Sequence, residues 1–115
     1  MSILDAFFGP PIPQLQPAEA QEKLKSPSKP FLLDVREPEE FRQAHIQGAT
    51  LIPLGTLQSS LNRLPKTREI LVICASGSRS SSATRSLIAA GYQAVNVRGG
   101  IGGWMRAGLP VKRGN

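Results

Sequence analysis

The apolar residues of this chain fall into short unbroken runs, set apart by polar stretches with helical spacing. Ile70-Leu71-Val72-Ile73 is the clearest run, and it ends at Cys74. Apolar residues without polar alternation predict a strand buried on both faces. Phe31-Leu32-Leu33-Asp34-Val35 and Ala94-Val95-Asn96-Val97 read in the same way, as does Ala49-Thr50-Leu51-Ile52, closed by Pro53. Between these runs the pattern is helical. Pro17 suits a first helical position ahead of Ala18 to Leu24, and the Ser/Pro-rich segment 26–30 breaks that helix. Glu37 to Gln43 predicts a short helix with acidic residues in its first turn, where the helix dipole favours them. Leu54, Leu57, Leu61 and Leu64 predict a further helix over 54–64. Ala83, Leu87 and Ala90 share one face of a helix expected over 80–90, with Gly91 as its stop and Tyr92 closing over Leu87. A last short helix opens in the glycine-rich segment 99–104 and ends at Gly108. Strands alternating with helices at this pace predict a parallel sheet with helices on both faces.

Four of the ten prolines lie between residues 9 and 17. Residues 1–15 therefore read as an extended Pro-rich leader, with the folded domain expected over 16–113. The length of 115 residues allows one domain with a real core. The N-terminus has no basic segment and Asp5 interrupts its short apolar stretch, which is not a secretory signal pattern. No apolar run approaches a membrane span, and the default expectation is a cytoplasmic protein without a membrane partner.

Charge and cysteine count narrow the function. Lys and Arg number 14 against 8 Asp and Glu, for a net charge of +6. The cations are scattered and aromatics are sparse, so neither a basic tract nor a base-stacking platform marks a nucleic-acid binder. The preferred reading of such a surplus is a solvated surface, with a modest pull on small anionic substrates as the next. A single Cys excludes an internal disulfide, and one Cys with one His does not make a structural zinc site. No metal or cofactor is expected.

The chemistry concentrates in Cys74-Ala75-Ser76-Gly77-Ser78-Arg79, between the strongest strand and the helix after it. In open parallel sheets, ligands bind beyond the carboxyl ends of the strands. Ala75, Ser76, Gly77 and Ser78 are small enough for backbone N–H groups to turn inward around the sulfur, and Gly77 can adopt a positive φ freely. Such a nest at a helix entrance, with Arg79 beside it, favours the thiolate, which is the nucleophilic form. The competing reading is an inert Cys buried at a strand end.

The loop fits Cys-x-x-Gly-x-Arg and resembles the active-site loop of rhodanese-homology domains. Three other segments carry the same resemblance: Asp34-Val35-Arg36, then His45-Ile46-Gln47-Gly48-Ala49 with Ile52-Pro53, and finally Gly99-Gly100-Ile101 with Trp104 and Gly108-Leu109-Pro110-Val111. They run in order from about Gln16 to Val111. Arg98 departs from the pattern, in which an acidic or neutral residue is frequent. The resemblance implies a rhodanese-like three-layer sandwich, with a five-stranded, mostly parallel sheet and helices on both faces. It implies a sulfurtransferase that takes sulfane sulfur from thiosulfate or a persulfide donor onto Cys74. The resulting persulfide passes its sulfur to cyanide or a thiol, with the N–H groups of residues 75–79 cradling it.

The resemblance leaves several roles open. Arg79 either binds the anionic donor or braces the loop against a carboxylate such as Glu37 or Glu40, and bracing is preferred. Asp34 and Arg36 are supporting residues that either reach the rim of the Cys74 site or pair with each other. His45 is expected to make a structural hydrogen bond rather than act as a base, Ser80, Ser81 and Ser82 to form the first turn of their helix, and Trp104 to pack. Two other functions compete: a persulfide carrier or protein-binding module without turnover, and a Cys-dependent phosphatase. The phosphatase is disfavoured, because related phosphatase loops place one more residue between Cys and Arg than the four present here.

Overall fold

The computed structural model describes residues 11–115. Five strands form one sheet: β1 (Gln14–Leu15), β2 (Phe31–Asp34), β3 (Thr50–Leu51), β4 (Glu69–Ile73) and β5 (Gln93–Val97). Their order is β1-β5-β4-β2-β3, and every neighbouring pair is parallel. Among the described residues four α-helices accompany them: α1 (Pro17–Leu24), α2 (Pro38–Gln43), α3 (Ser78–Ala89) and α4 (Gly100–Arg106). Readings that fall on residues 1–10 lie outside the described residues.

β4 is the central strand, and its unbroken apolar run serves two layers at once. Ile70, Val72 and Cys74 face one cluster with Leu33, Val35, Ala83 and Leu87. Leu71 and Ile73 face the other, with Ala20, Leu32, Ile101 and Trp104. Successive side chains of a strand point to opposite faces, so a strand covered on both sides has no polar position to spare. The alternation also sets the next residue in line: Cys74 joins the α3 layer.

Local signals account for the ends of several helices. Pro17 and Pro38 occupy first helical positions, and Glu19 and Glu40 each accept a hydrogen bond from the backbone N–H three residues earlier. After α3, Gly91 takes φ +92°. Its N–H donates to Ile88 O at 3.0 Å, and the Tyr92 N–H donates to Leu87 O at 2.9 Å. These are the two bonds of a Schellman motif, and Tyr92 and Leu87 share the same core cluster.

Two expectations change. The α-helix expected over 54–64 is instead a pair of 3₁₀ segments, Leu54–Thr56 and Gln58–Arg63. Leu57 and Leu64 are still buried, with Leu54 and Leu61 packed against the same cluster. Gly55, Thr56, Ser59, Ser60 and Asn62 each cost roughly 0.5–1 kcal/mol against Ala in an α-helix. The tighter turns keep the leucines inward without that cost. The second change is β1. Gln14–Leu15 lies within the stretch read as a leader, yet it extends the sheet through Asn96 N–H to Pro13 O and Arg98 N–H to Leu15 O, both 2.9 Å.

Candidate active site

The loop after β4 is held from two sides. Towards α4, Ile101 N–H donates to Cys74 O at 2.8 Å and Gly102 N–H donates to Ala75 O at 3.1 Å. Towards α3, Gly77 adopts φ +107° and precedes the first helical residue, and its carbonyl accepts from Ser81 N–H at 3.1 Å and Ser81 Oγ at 2.6 Å. A residue with a Cβ is strained at that φ, so Gly77 allows the chain to reverse and enter α3 within a few residues.

This turn folds the loop over the thiol. The Gly77 N–H lies 3.1 Å from Cys74 Sγ, and the Ser80 hydroxyl lies 3.3 Å from it. Cys74 and Ser80 are both fully buried, whereas Ser76 and Ser78 are exposed. Burial pushes the Cys74 thiol up. Donation from the Ser80 hydroxyl and from the backbone of Ser80, Gly77 and Ser76 outweighs burial and holds the thiol below its ordinary value. These donors favour the charged form of the sulfur, which is the nucleophilic one.

Arg79 pairs with a carboxylate. Its Nη1 and Nη2 each donate at 2.8 Å to one carboxylate oxygen of Glu40 on α2. The fork-to-fork geometry is the strong arrangement for this pair of groups. The Arg79 guanidinium, above all, holds the Glu40 carboxyl down to about 2, and Glu40 in turn raises Arg79. Of the two carboxylates considered from the sequence, Glu40 is the partner.

Asp34 and Arg36 pair with each other. Arg36 Nη2 donates to Asp34 Oδ2 at 2.8 Å, and the Arg36 backbone N–H donates to Asp34 Oδ1 at 3.0 Å. The same guanidinium donates to Glu40 O and Ala44 O, at 3.2 and 2.6 Å. Both residues are buried, and Asp34 alternates with Leu33 and Val35, which face the layer of Cys74. Asp34 therefore points to the opposite layer. The pair pins the backbone of α2, which carries Glu40 to Arg79.

His45 stacks on Phe41 with ring centroids 3.8 Å apart, and its Nδ1 lies 2.8 Å from Phe41 O. Its backbone bridges to Lys112 in both directions. Trp104 is buried and donates its indole N–H to Pro110 O at 2.8 Å. A groove of about 200 Å³ beside Trp104, lined also by Leu24, Ile46 and Val111, offers no thiol, hydroxyl or carboxylate side chain. Among the described residues, no group of acids, His and Cys is arranged to hold a metal, and no helix is long and apolar enough to cross a membrane.

The model of the rhodanese-like domain matches residues 16–107. This chain belongs to the rhodanese-like family. A sulfurtransferase of Allochromatium vinosum is 35% identical over 91 residues, covering 78% of this chain and 85% of that protein. A putative sulfur carrier protein of Bacillus subtilis, YrkF, is 39% identical over 94 residues, covering 81% of this chain and 51% of that protein. The crystal structure of a rhodanese-related protein from Thermoplasma volcanium superposes with a TM-score of 0.82 at 34% identity, covering 87% of this chain and 97% of the other. Membership supports sulfur transfer as the general activity of the domain.

Ser80 carries a contact that the sequence reading did not single out. It is buried on the same helical stripe as Ala83, Thr84 and Leu87, and extending the apolar face of α3 back by one turn would have selected it from its neighbours. Its hydroxyl favours the charged sulfur, so removing it raises the thiol pKa. Below that pKa the thiolate fraction then falls, while at alkaline pH it is unchanged. Ser80→Ala is therefore expected to slow alkylation of Cys74 by iodoacetamide near neutral pH, on the order of tenfold for a hydrogen bond to a charged group. The wild-type and variant rates should converge as pH rises. Superimposable pH–rate profiles would show that the contact does not tune the sulfur.

Proposed function

We propose that the domain is a sulfurtransferase of the thiosulfate type, working through a persulfide on Cys74. The observation that carries this reading is the convergence of the Gly77 N–H and the Ser80 hydroxyl on a sulfur held at the carboxyl end of β4. Donors aimed at one atom stabilise negative charge there without reorganising during the reaction.

The steps follow from that geometry. The Cys74 thiolate attacks the outer sulfur of thiosulfate, the bond to the central sulfur breaks, and sulfite leaves with the electron pair. Cys74 is left as a persulfide anion, and the backbone N–H groups of Ala75, Ser76, Gly77, Ser78 and Arg79 form its cradle. A thiol or cyanide then attacks the terminal sulfur. The acceptor keeps that sulfur, as a persulfide or as thiocyanate, and the Cys74 thiolate is restored. Ser76 and Ser78 are the exposed residues of this loop, and a donor approaches the sulfur past them. Arg79 and the Asp34–Arg36 pair act as braces: one ties the loop to α2, and the other ties α2 to the sheet. Neither a metal nor a cofactor takes part, and the location in keeping with a free thiolate is the reducing cytoplasm.

The resemblance to a putative sulfur carrier supports a second reading, in which the persulfide passes only to a protein acceptor. Intact-mass measurement separates the two. Incubation with thiosulfate is expected to add one sulfur atom to the protein, and cyanide is expected to remove it with release of thiocyanate. A protein that gains the sulfur but retains it against cyanide and small thiols is a carrier. A protein that never gains it is not a sulfurtransferase of this type, and phosphate release from a generic phosphoester would then favour the phosphatase.

A further inference from the structure

Two cations that the sequence places at the Cys74 site are already spent. Arg79 is paired with Glu40, and Arg36 is committed to Asp34, Glu40 O and Ala44 O. Neither presents a free guanidinium to an anion. The glycine-rich helix α4 supplies a different one.

Arg106, the last residue of α4, is exposed and folds back along its own helix. A Cβ placed on Gly102 would lie 3.2 Å from Arg106 Nη1 and 3.4 Å from Ala75 O, so both groups border the same small space. Arg106 Nη2 would lie 3.8 Å from a Cβ on Gly103 and 3.9 Å from one on Gly99. Gly99 in turn touches Gly77, whose Cβ would sit 3.4 Å from Gly99 N. Three missing side chains thus let one guanidinium lie along the helix, beside Ala75 of the Cys74 loop. Among the described residues, Arg106 has neither a carboxylate nor a carbonyl partner, and its five N–H donors remain available. Arg98, one residue before Gly99, is exposed at the same end of the sheet, and its guanidinium likewise has no partner among the described residues.

We propose that Arg106 receives the anionic end of a small sulfur donor, such as the sulfonate oxygens of thiosulfate, while the donor's outer sulfur faces Cys74. The proposal rests on the reading of Cys74 as acceptor of sulfur from an anionic donor. A guanidinium matches a tetrahedral oxyanion with two parallel donors, and its charge draws such an ion towards the loop.

The test compares two alkylating agents that differ in charge. Iodoacetate is an anion and iodoacetamide is neutral, and both report on Cys74 whether or not sulfur transfer occurs. In Arg106→Gln, the rate with iodoacetate at low ionic strength is expected to fall roughly three- to tenfold, with iodoacetamide nearly unchanged. The second-order rate of thiosulfate loading should fall with iodoacetate. The difference should shrink in about 0.5 M salt, where the screening length is only a few ångströms. Arg63→Gln, which removes the same charge from an exposed site on the 3₁₀ segment, controls for net charge and should leave the ratio of the two rates alone. An unchanged ratio in Arg106→Gln, or an equal change in Arg63→Gln, overturns the proposal. A falling ratio in a protein that takes no sulfur from thiosulfate would instead leave the anion site standing and remove the reading of the reaction.

Discussion

Cys74→Ser is expected to abolish sulfur uptake while leaving the domain folded. The substitution keeps the size of the side chain and leaves the donors of Gly77 and Ser80 facing an atom that still accepts hydrogen bonds. What disappears is the nucleophile. A serine hydroxyl beside this loop has no general base: His45 is bound to Phe41, and the Glu40 carboxylate is held by Arg79. An unactivated hydroxyl is a weak nucleophile, and loss of a covalent nucleophile costs at least about a thousandfold in rate. Since Cys74 is the sole cysteine, no other thiol can mask the loss. The expected result is no added sulfur on the intact mass after exposure to thiosulfate, with a Tm within a few degrees of wild type. A Cys74→Ser protein that still gained one sulfur would remove Cys74 from the mechanism.

The same solitude shapes the products. A Cys74 persulfide has no second cysteine in the chain to attack it, so it cannot collapse into an internal disulfide. Its sulfur leaves only to an acceptor from outside. A thiol whose charged form is favoured, in a loop with two exposed serines, is also the kind of site that oxidants and electrophiles find, which makes alkylation a fair probe of it.

The parts of this architecture that are legible in the sequence are those set by local pattern. Ile70 to Ile73 reads as a strand because burial on both faces demands an unbroken apolar run. Cys74 then falls at the carboxyl end of that strand by counting alone. The end of α3 is legible because Gly91 and Tyr92 carry a stop signal with its own hydrogen bonds. The parts that are not legible depend on distant partners. Gln14–Leu15 is flanked by Pro13 and Pro17 and has no strand signal of its own; backbone bonds to β5, some eighty residues later, make it a strand. The leucines at 54, 57, 61 and 64 satisfy a 3₁₀ turn as well as an α-helix, so spacing cannot choose between them. In the site, small residues around a Cys announce a nest, but three serines in a row do not announce which one is buried against the sulfur. Nor does sequence distance show that Arg106, over thirty residues from Cys74, folds back to the same loop.

Gly100→Ala is expected to produce a larger loss of stability than an alanine at any other described glycine. Gly100 opens α4 at φ +61°, and its N-terminal turn is pressed against the loop that carries the thiol. A Cβ there would sit 2.6 Å from both the carbonyl carbon and oxygen of Ala75, with Cys74 O nearer still. These are backbone atoms and cannot swing aside like the end of a long side chain. Either α4 moves away, breaking the bonds from Ile101 and Gly102 to the carbonyls of Cys74 and Ala75, or the loop does. Overpacking of this kind costs about 1–3 kcal/mol, and the left-handed conformation adds about 1–2 kcal/mol for a residue with a side chain. For a domain of this size, the sum lowers Tm by on the order of 10–20 °C. Gly48→Ala separates the two contributions, since Gly48 has φ +89° with nothing within 4 Å of a Cβ. It bears the conformational cost without the collision and should lower Tm by only a few degrees. Thermal unfolding of the two variants side by side decides the matter: equal shifts would mean that α4 does not bear on the loop. If Gly100→Ala remains folded at low temperature, its Cys74 should also react more slowly with iodoacetamide near neutral pH, because displacement of the Cys74 and Ala75 carbonyls misaims the N–H groups that stabilise the thiolate. That second effect is absent from Gly48→Ala, and it ties the close packing of a glycine in one layer to the charge on a sulfur in the other.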